Sequence, residues 1–171
     1  IGLLGSLVLA VLLSILDVVR RSAQPRDAVL GWSPKAGRFV DVERHHDAVV
    51  IPGLVIYRLD DRLFFANSRY FRGRVRDAIR GAPYPVTTMV FDAESVTDLD
   101  TSGAQALADL VTELRGEGIH FVLARSRATF EAQLSRTGHD DALPAQDRYP
   151  TVRAAVAGVT GVDLASLRST A

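Results

Sequence analysis

The chain has 171 residues, a formal net charge of zero and no cysteine. That length suits one ordinary domain with appendages, and the missing cysteine excludes disulfides, thiolate catalysis and cysteine-bound zinc. The balanced charge gives no footing for a polyanionic partner, so no nucleic acid is expected. Arginine outnumbers lysine 19 to 1, with Lys35 the lone lysine, a bias of genomic composition rather than of function. The first element is apolar. Ile1–Leu16 carries no charge, and its only polar residues are Ser6 and Ser14. At helical rise it spans about 24 Å, short of the roughly 30 Å hydrocarbon core of a bilayer. The chain opens without methionine inside this run, so the rest of the span is expected upstream. A signal peptide would place basic residues before the run and a cleavage site after it. Here the basic residues follow. Between Val18 and Arg38 they are Arg20, Arg21, Arg26, Lys35 and Arg38, opposed only by Asp27, a net +4. The positive-inside rule puts everything after Leu16 on the cytoplasmic side of a cell membrane. A buried core helix is the alternative, but no amphipathic period supports it.

Ser22–Gly53 has linker character, punctuated by Pro25, Gly31, Pro34, Gly37, Pro52 and Gly53. Val49–Ile51 has the makings of a short strand, and the main body of the domain is expected from near Leu54. Leu54–Leu59 and Arg62–Ala66 read as a hairpin turning at Asp60-Asp61. Ser68–Arg80 reads as a helix with Phe71, Val75, Ala78 and Ile79 on one face, Ser68 as N-cap and Gly81 as stop. Its arginines are expected to form a solvated face, an acidic partner or lipid headgroups being the sharper alternative. Val86–Phe91 and Ile119–Ala124 are continuous apolar runs, the pattern of strands buried on both faces. Ser102–Gly116 and Ser126–Thr137 read as the helices that follow them, and Pro150–Ala157 as a short last helix with Pro150 in its first turn. This alternation predicts an α/β domain with a largely parallel sheet. The expected divisions are 1–19 for a transmembrane helix end, 20–47 for a basic linker, 48–158 for the domain and 159–171 for a flexible tail.

The stretch with most chemical content is Phe91–Gly103, FDAESVTDLDTSG. A buried strand ends at Asp92, and Asp100-Thr101-Ser102-Gly103 then opens a helix. Ligands in open α/β sheets bind beyond the carboxyl ends of strands, and a helix start there favours an anion. A phosphate on a serine at such a cap would add roughly −1.5 to −2 charge. The bland alternative is that Thr101 or Ser102 caps the helix and Asp100 orders the turn. Enzyme readings fare worse. No phosphate-binding glycine loop follows a strand. Asp92, Glu94, Asp98 and Asp100 are hard oxygen donors of the kind that hold Mg²⁺, but the lysine of a receiver-type phosphoacceptor pocket is missing. His45 and His46 fall in the linker. His120 sits in a predicted buried strand and His139 in a polar loop, neither with a serine-and-acid constellation. No catalytic residue and no metal site are assigned.

Three separated stretches carry a resemblance to a known family. An apolar helix ends in paired arginines and leads to AVLGWSP, Ala28–Pro34, with Asp41 seven residues on. IPGLVIYRLDDRLFFANSRYFRGRV, Ile51–Val75, is similar to the strand, turn, strand and FAN opening of a STAS domain. FDAESVTDLDTSGAQAL, Phe91–Leu107, resembles the D-[ST]-[ST]-G loop of such domains. In this order they resemble the C-terminal end of SulP-type sulfate permeases. The resemblance implies a mixed sheet of four to five strands with helices mainly on one face. It also implies a regulatory role: the domain modulates transport and assembly of a secondary active anion carrier, sulfate being the foremost substrate. Its partner would be the transporter's own membrane domain, in a homodimer. No cofactor is implied beyond a nucleotide, which some relatives bind near the loop at Asp100, Thr101, Ser102 and Gly103. STAS domains also act as anti-sigma-factor antagonists, phosphorylated on the serine before the loop glycine. Ser102 matches that position and Thr101 precedes it, which makes a phospho-switched interaction module the competing expectation.

Overall fold

The computed structural model of the chain describes residues 2–161. The elements, in order, are α1 (Leu3–Ala23), β1 (Asp27–Ser33), β2 (Arg38–Asp41), β3 (Leu54–Leu59), α2 (Ser68–Arg80) and β4 (Thr88–Asp92). They continue with α3 (Thr101–Gly116), β5 (His120–Ala124), α4 (Ala128–Arg136), β6 (Arg148–Tyr149) and α5 (Val152–Thr160). Six strands form one sheet in the order β2-β1-β3-β4-β5-β6. β3 to β6 are parallel, and β1 runs antiparallel to both of its neighbours.

Strand alternation sorts the core into two layers. Val55, Tyr57 and Leu59 of β3, Met89 and Phe91 of β4, and Phe121 and Leu123 of β5 face α2, α3 and α4. Leu54, Ile56, Val90, Val122 and Ala124 point the other way, onto Val152, Ala155 and Val156 of α5. Three helices therefore cover one face and one short helix the other, in keeping with the expected α/β class. β4 is buried along its whole length, as its unbroken apolar run requires. The arginines of α2 form more than a solvated face. Arg72 pairs with Glu113, Arg76 bonds Glu113 at 2.8 Å and Glu117 at 2.5 Å, and these contacts tie α2 to α3.

The structure departs from the sequence reading in several places. Six strands replace the four to five expected, because residues 20–47 are not simply a linker: β1 and β2 lie within them. Gly31 looked like a breaker, yet it sits inside β1. A Cβ there would lie 2.9 Å from the Val42 side chain and 3.0 Å from the Val49 carbonyl, so glycine is what lets these segments close on the strand. Trp32 also exchanges backbone hydrogen bonds with Val49. Asp27 anchors the segment: Tyr57 donates its hydroxyl to Asp27 at 2.7 Å, and Arg74 Nε donates to the same carboxylate at 2.7 Å. Burial, then this carboxylate, hold the Tyr57 hydroxyl far above its ordinary pKa, so it remains a donor.

Arg62–Ala66 is no hairpin partner for β3. Asn67 curls it instead, accepting from Phe64 N–H at 3.0 Å and donating to the Arg62 carbonyl at 2.8 Å. Only Leu63 makes a lone parallel bridge, to Leu99. Helix α1 continues past Leu16 and past residue 19 to Ala23, since nothing before Pro25 breaks it. Ser68 and Ser126 cap nothing: Ser68 is the first residue of α2, and Ser126 donates its hydroxyl to Glu131. The last helix starts at Val152 with Thr151 as its cap, two residues beyond Pro150. It runs to Thr160, so the expected tail at 159–171 begins inside it, and residues 162–171 lie outside the described residues. His120 is half-exposed rather than buried, at the start of β5, where its Nε2 lies 2.8 Å from Asp147.

α1 stands apart from both layers. None of its residues is buried. Its 21 residues rise about 32 Å, enough for a hydrocarbon core of roughly 30 Å. Its most apolar window has a mean hydropathy of 2.2.

Candidate functional site

β4 delivers the chain to the carboxyl edge of the sheet at Asp92, and residues 93–100 cross to α3. Two groups fix this crossing. Asp92, fully buried, is clasped by Arg125 through two hydrogen bonds, one of 2.9 Å from Nε. Glu94 lies 2.5 Å from Nη1 of the same arginine. Further along, the curled segment before α2 meets the loop. Leu63 N–H donates to the Asp98 carbonyl at 3.0 Å, and Asp100 N–H donates to the Leu63 carbonyl at 3.3 Å.

Asp100 is the N-cap of α3, taking the part expected of Thr101 or Ser102. One carboxylate oxygen accepts from Gly103 N–H at 2.6 Å and the other from Phe65 N–H at 3.0 Å. Aspartate suits the position because its acceptors satisfy free N–H groups and its charge meets the positive end of the helix dipole. Gly103 is buried hard against Leu63: a Cβ would lie 2.3 Å from the Leu63 carbonyl oxygen. With Asp100 capping, Thr101 and Ser102 are left exposed, and no described residue engages either hydroxyl. The structure thus brings Asp100, Thr101, Ser102 and Gly103 together, with Asp100 and Gly103 as framework and Thr101 and Ser102 as the presented groups. Replacing Asp100 with alanine is expected to cost about 2 kcal/mol, the upper part of the range for a cap, since two acceptors are lost at once. A urea unfolding midpoint unchanged in Asp100→Ala would contradict this.

Beside the loop is an open crevice of about 530 Å³, lined by Asp98, Leu99, Asp100, Thr101, Gln133, Arg136 and Thr137. Gln133 braces it, donating to Asp98 at 2.5 Å and accepting from Leu99 N–H at 2.7 Å. Arg136 has no carboxylate partner among the described residues. The contributions of Leu63, Phe65, Gln133 and Arg136 escaped sequence reading. They come from segments more than thirty residues from the loop, and no local period marks them. The carboxylates weighed as magnesium ligands have other work: Asp92 and Glu94 pair with Arg125, Asp98 with Gln133, and Asp100 with backbone.

The site thus stands on a mixed sheet in which β1 pairs antiparallel with β2 and β3, with three helices on one face and an exposed, aspartate-capped loop at the carboxyl edge. The STAS domain family model matches residues 45–155, and the chain belongs to that family. A probable sulfate transporter of Mycobacterium tuberculosis is 35% identical over 156 residues, which is 91% of this chain and 28% of that protein. The chain thus spans about a quarter of the length of the curated relatives it matches. The fold is shared with murine Solute Carrier 26 family member A9, an anion transporter, in its inward-facing state. That likeness has a TM-score of 0.79 at 23% identity and covers 91% of this chain and 25% of the other. The anti-sigma factor antagonist SpoIIAA in its unphosphorylated form shares the fold with a TM-score of 0.53 at 21% identity, over 67% of this chain and 95% of that one.

Proposed function

We propose that this chain is the cytoplasmic regulatory end of a secondary active anion transporter, with sulfate as the carried ion, and that it tunes the rate and assembly of a dimeric membrane domain. The observation that supports this most is α1: a 21-residue apolar helix with no buried residue, joined directly to a STAS fold. A soluble switch protein has no use for such a helix, whereas a transporter's last span does. The relatives named as sulfate transporters supply the substrate class.

The regulatory input enters at Ser102 and Thr101. A loop of this kind takes either a phosphate on a hydroxyl or a bound nucleotide, and the charge balance favours the first. The crevice sets Asp98 and Asp100 against Arg136 alone, a poor reception for a polyphosphate. A single phosphate on Ser102 would instead sit in the first turn of α3, where the dipole and free N–H groups stabilise it. Labelled-sulfate uptake by the transporter that carries this domain tests the reading. Ser102→Asp is expected to change uptake at equal expression while domain stability stays within about 0.5 kcal/mol. Identical uptake in wild type, Ser102→Asp and Ser102→Ala would remove the switch. A second reading, a phospho-switched partner of an anti-sigma kinase, rests on the free hydroxyl of Ser102 just before Gly103. It gains if no anion is transported and a kinase labels Ser102.

A further inference from the structure

On the other face of the sheet the carboxyl ends of the parallel strands build a second crevice, of about 330 Å³. Its wall includes Arg38, Arg58, Arg125 and Arg153, one carboxylate, Glu94, and the indole of Trp32. Apart from Glu94, which lies early in the crossing from β4 to α3, none of these residues belongs to the segment that carries Asp100. The position is where open α/β sheets receive ligands. Thr151 caps α5 at the same place, accepting from Ala154 N–H at 3.0 Å, and Thr151, Val152 and Arg153 at the start of this helix line the crevice, the end of a helix that favours an anion.

The charges are unevenly used. Arg58 is balanced by Asp60 at 2.8 Å, and Arg125 by Asp92 and Glu94. Arg38 and Arg153 have no carboxylate partner among the described residues. Arg153 is held for another purpose: it stacks 4.7 Å above the Trp32 ring and donates to the Gly37 carbonyl at 3.1 Å. The backbone is also built for the place. Arg125 holds φ at 57°, the only non-glycine among the described residues in the left-handed region, which costs energy that neighbouring contacts must offset. Finally, Trp32 is fully buried, yet its indole N–H has no acceptor among the described residues. An orphaned buried donor in the wall of a cationic crevice points to an acceptor that comes and goes.

We propose that this crevice is a regulatory site for a tetrahedral oxyanion, a sulfate or phosphate group, held by Arg38, Arg153 and the start of α5. The group is either a free ion or the end of a larger phosphorylated molecule. The site stands independently of the Ser102 reading. Trp32 is the chain's only tryptophan, so its fluorescence reports on this wall alone. The test uses the full chain in detergent micelles, titrated with sodium sulfate, sodium phosphate or ATP, with sodium chloride holding ionic strength constant. A saturable change in Trp32 emission is expected, with a midpoint raised about tenfold in Arg38→Gln, which removes a charge-assisted donor without touching the core. Saturation by sulfate or phosphate identifies a free ion as the ligand, and saturation by ATP alone identifies a phosphate on a larger molecule. Arg153→Gln should weaken binding as well, read by calorimetry because that residue touches the fluorophore. A featureless response, the same curve with chloride alone, or an unchanged midpoint in Arg38→Gln would overturn the proposal. Circular dichroism of each variant separates lost binding from lost fold.

Discussion

Gly103→Ala is expected to destabilise the domain by about 3 kcal/mol or more, and its thermal midpoint should fall by about 10 °C. The position is the third residue of α3, where alanine would ordinarily gain about 1 kcal/mol over glycine in helix propensity. Sterics win here. The new methyl would lie 2.3 Å from the Leu63 carbonyl oxygen and 2.8 Å from its carbon. These are backbone atoms, and they cannot swing aside like the end of a side chain. The Leu63 carbonyl is also the acceptor for Asp100 N–H, so moving it loosens the cap. Near-UV dichroism with heating reads the effect. A midpoint equal to or above that of the wild type would mean that the approach of Leu63 to α3 is looser than described.

Arg125→Ala should cost about 3–5 kcal/mol, the toll of stranding a buried carboxylate. Asp92 has a fully buried side chain and takes two hydrogen bonds from Arg125. The arginine itself is about a third exposed, so the converse change, Asp92→Ala, strands a charge that water still reaches and should cost less. The double variant should be far more stable than the sum of the two losses, because the pair acts as a unit. Arg125→Gly offers a separate check, since glycine accepts the positive φ freely and should recover about 1 kcal/mol relative to alanine. Asp92 also accepts from Glu94 N–H at 3.3 Å, and additive losses in the double variant would show that this bond rather than Arg125 carries the carboxylate.

Much of this architecture is written plainly in the chain. The runs at Val86–Phe91 and Ile119–Ala124 announce buried strands, and the stripes of Phe71 and Val75 or Leu107, Leu110 and Leu114 announce helices, because burial imposes their periods. What stays hidden is decided by contacts distant in sequence. Gly31 and Pro34 read as breaks, yet the first permits close packing inside β1 and the second serves the turn into β2. LFFA looks like a strand, but the side chain of Asn67 offers its backbone a competing set of hydrogen bonds. At the loop, Asp100, Thr101, Ser102 and Gly103 are visible as a motif, whereas their division of labour is not. Only the approach of Leu63 and Phe65 makes Asp100 the cap and Gly103 the contact. The second crevice has no sequence signature at all: its arginines come from β2, β3, the residue after β5, and α5, and only topology gathers them.

The junction between α1 and the sheet has a mechanical meaning. Three residues, Gln24, Pro25 and Arg26, separate Ala23 from Asp27, a reach of at most about 14 Å over four Cα steps. Little of even that is slack. Gln24 N–H still bonds back to Arg20, proline stiffens the next link, and the Arg26 carbonyl already accepts from Asp60 N–H. β1 then lies beside β3 at the centre of the sheet. A helix gripped by a bilayer would therefore act on the domain as a rigid crank rather than a leash. Its tilt or rotation would enter the sheet as torque through β1, and a rearrangement of the sheet would return along the same shaft.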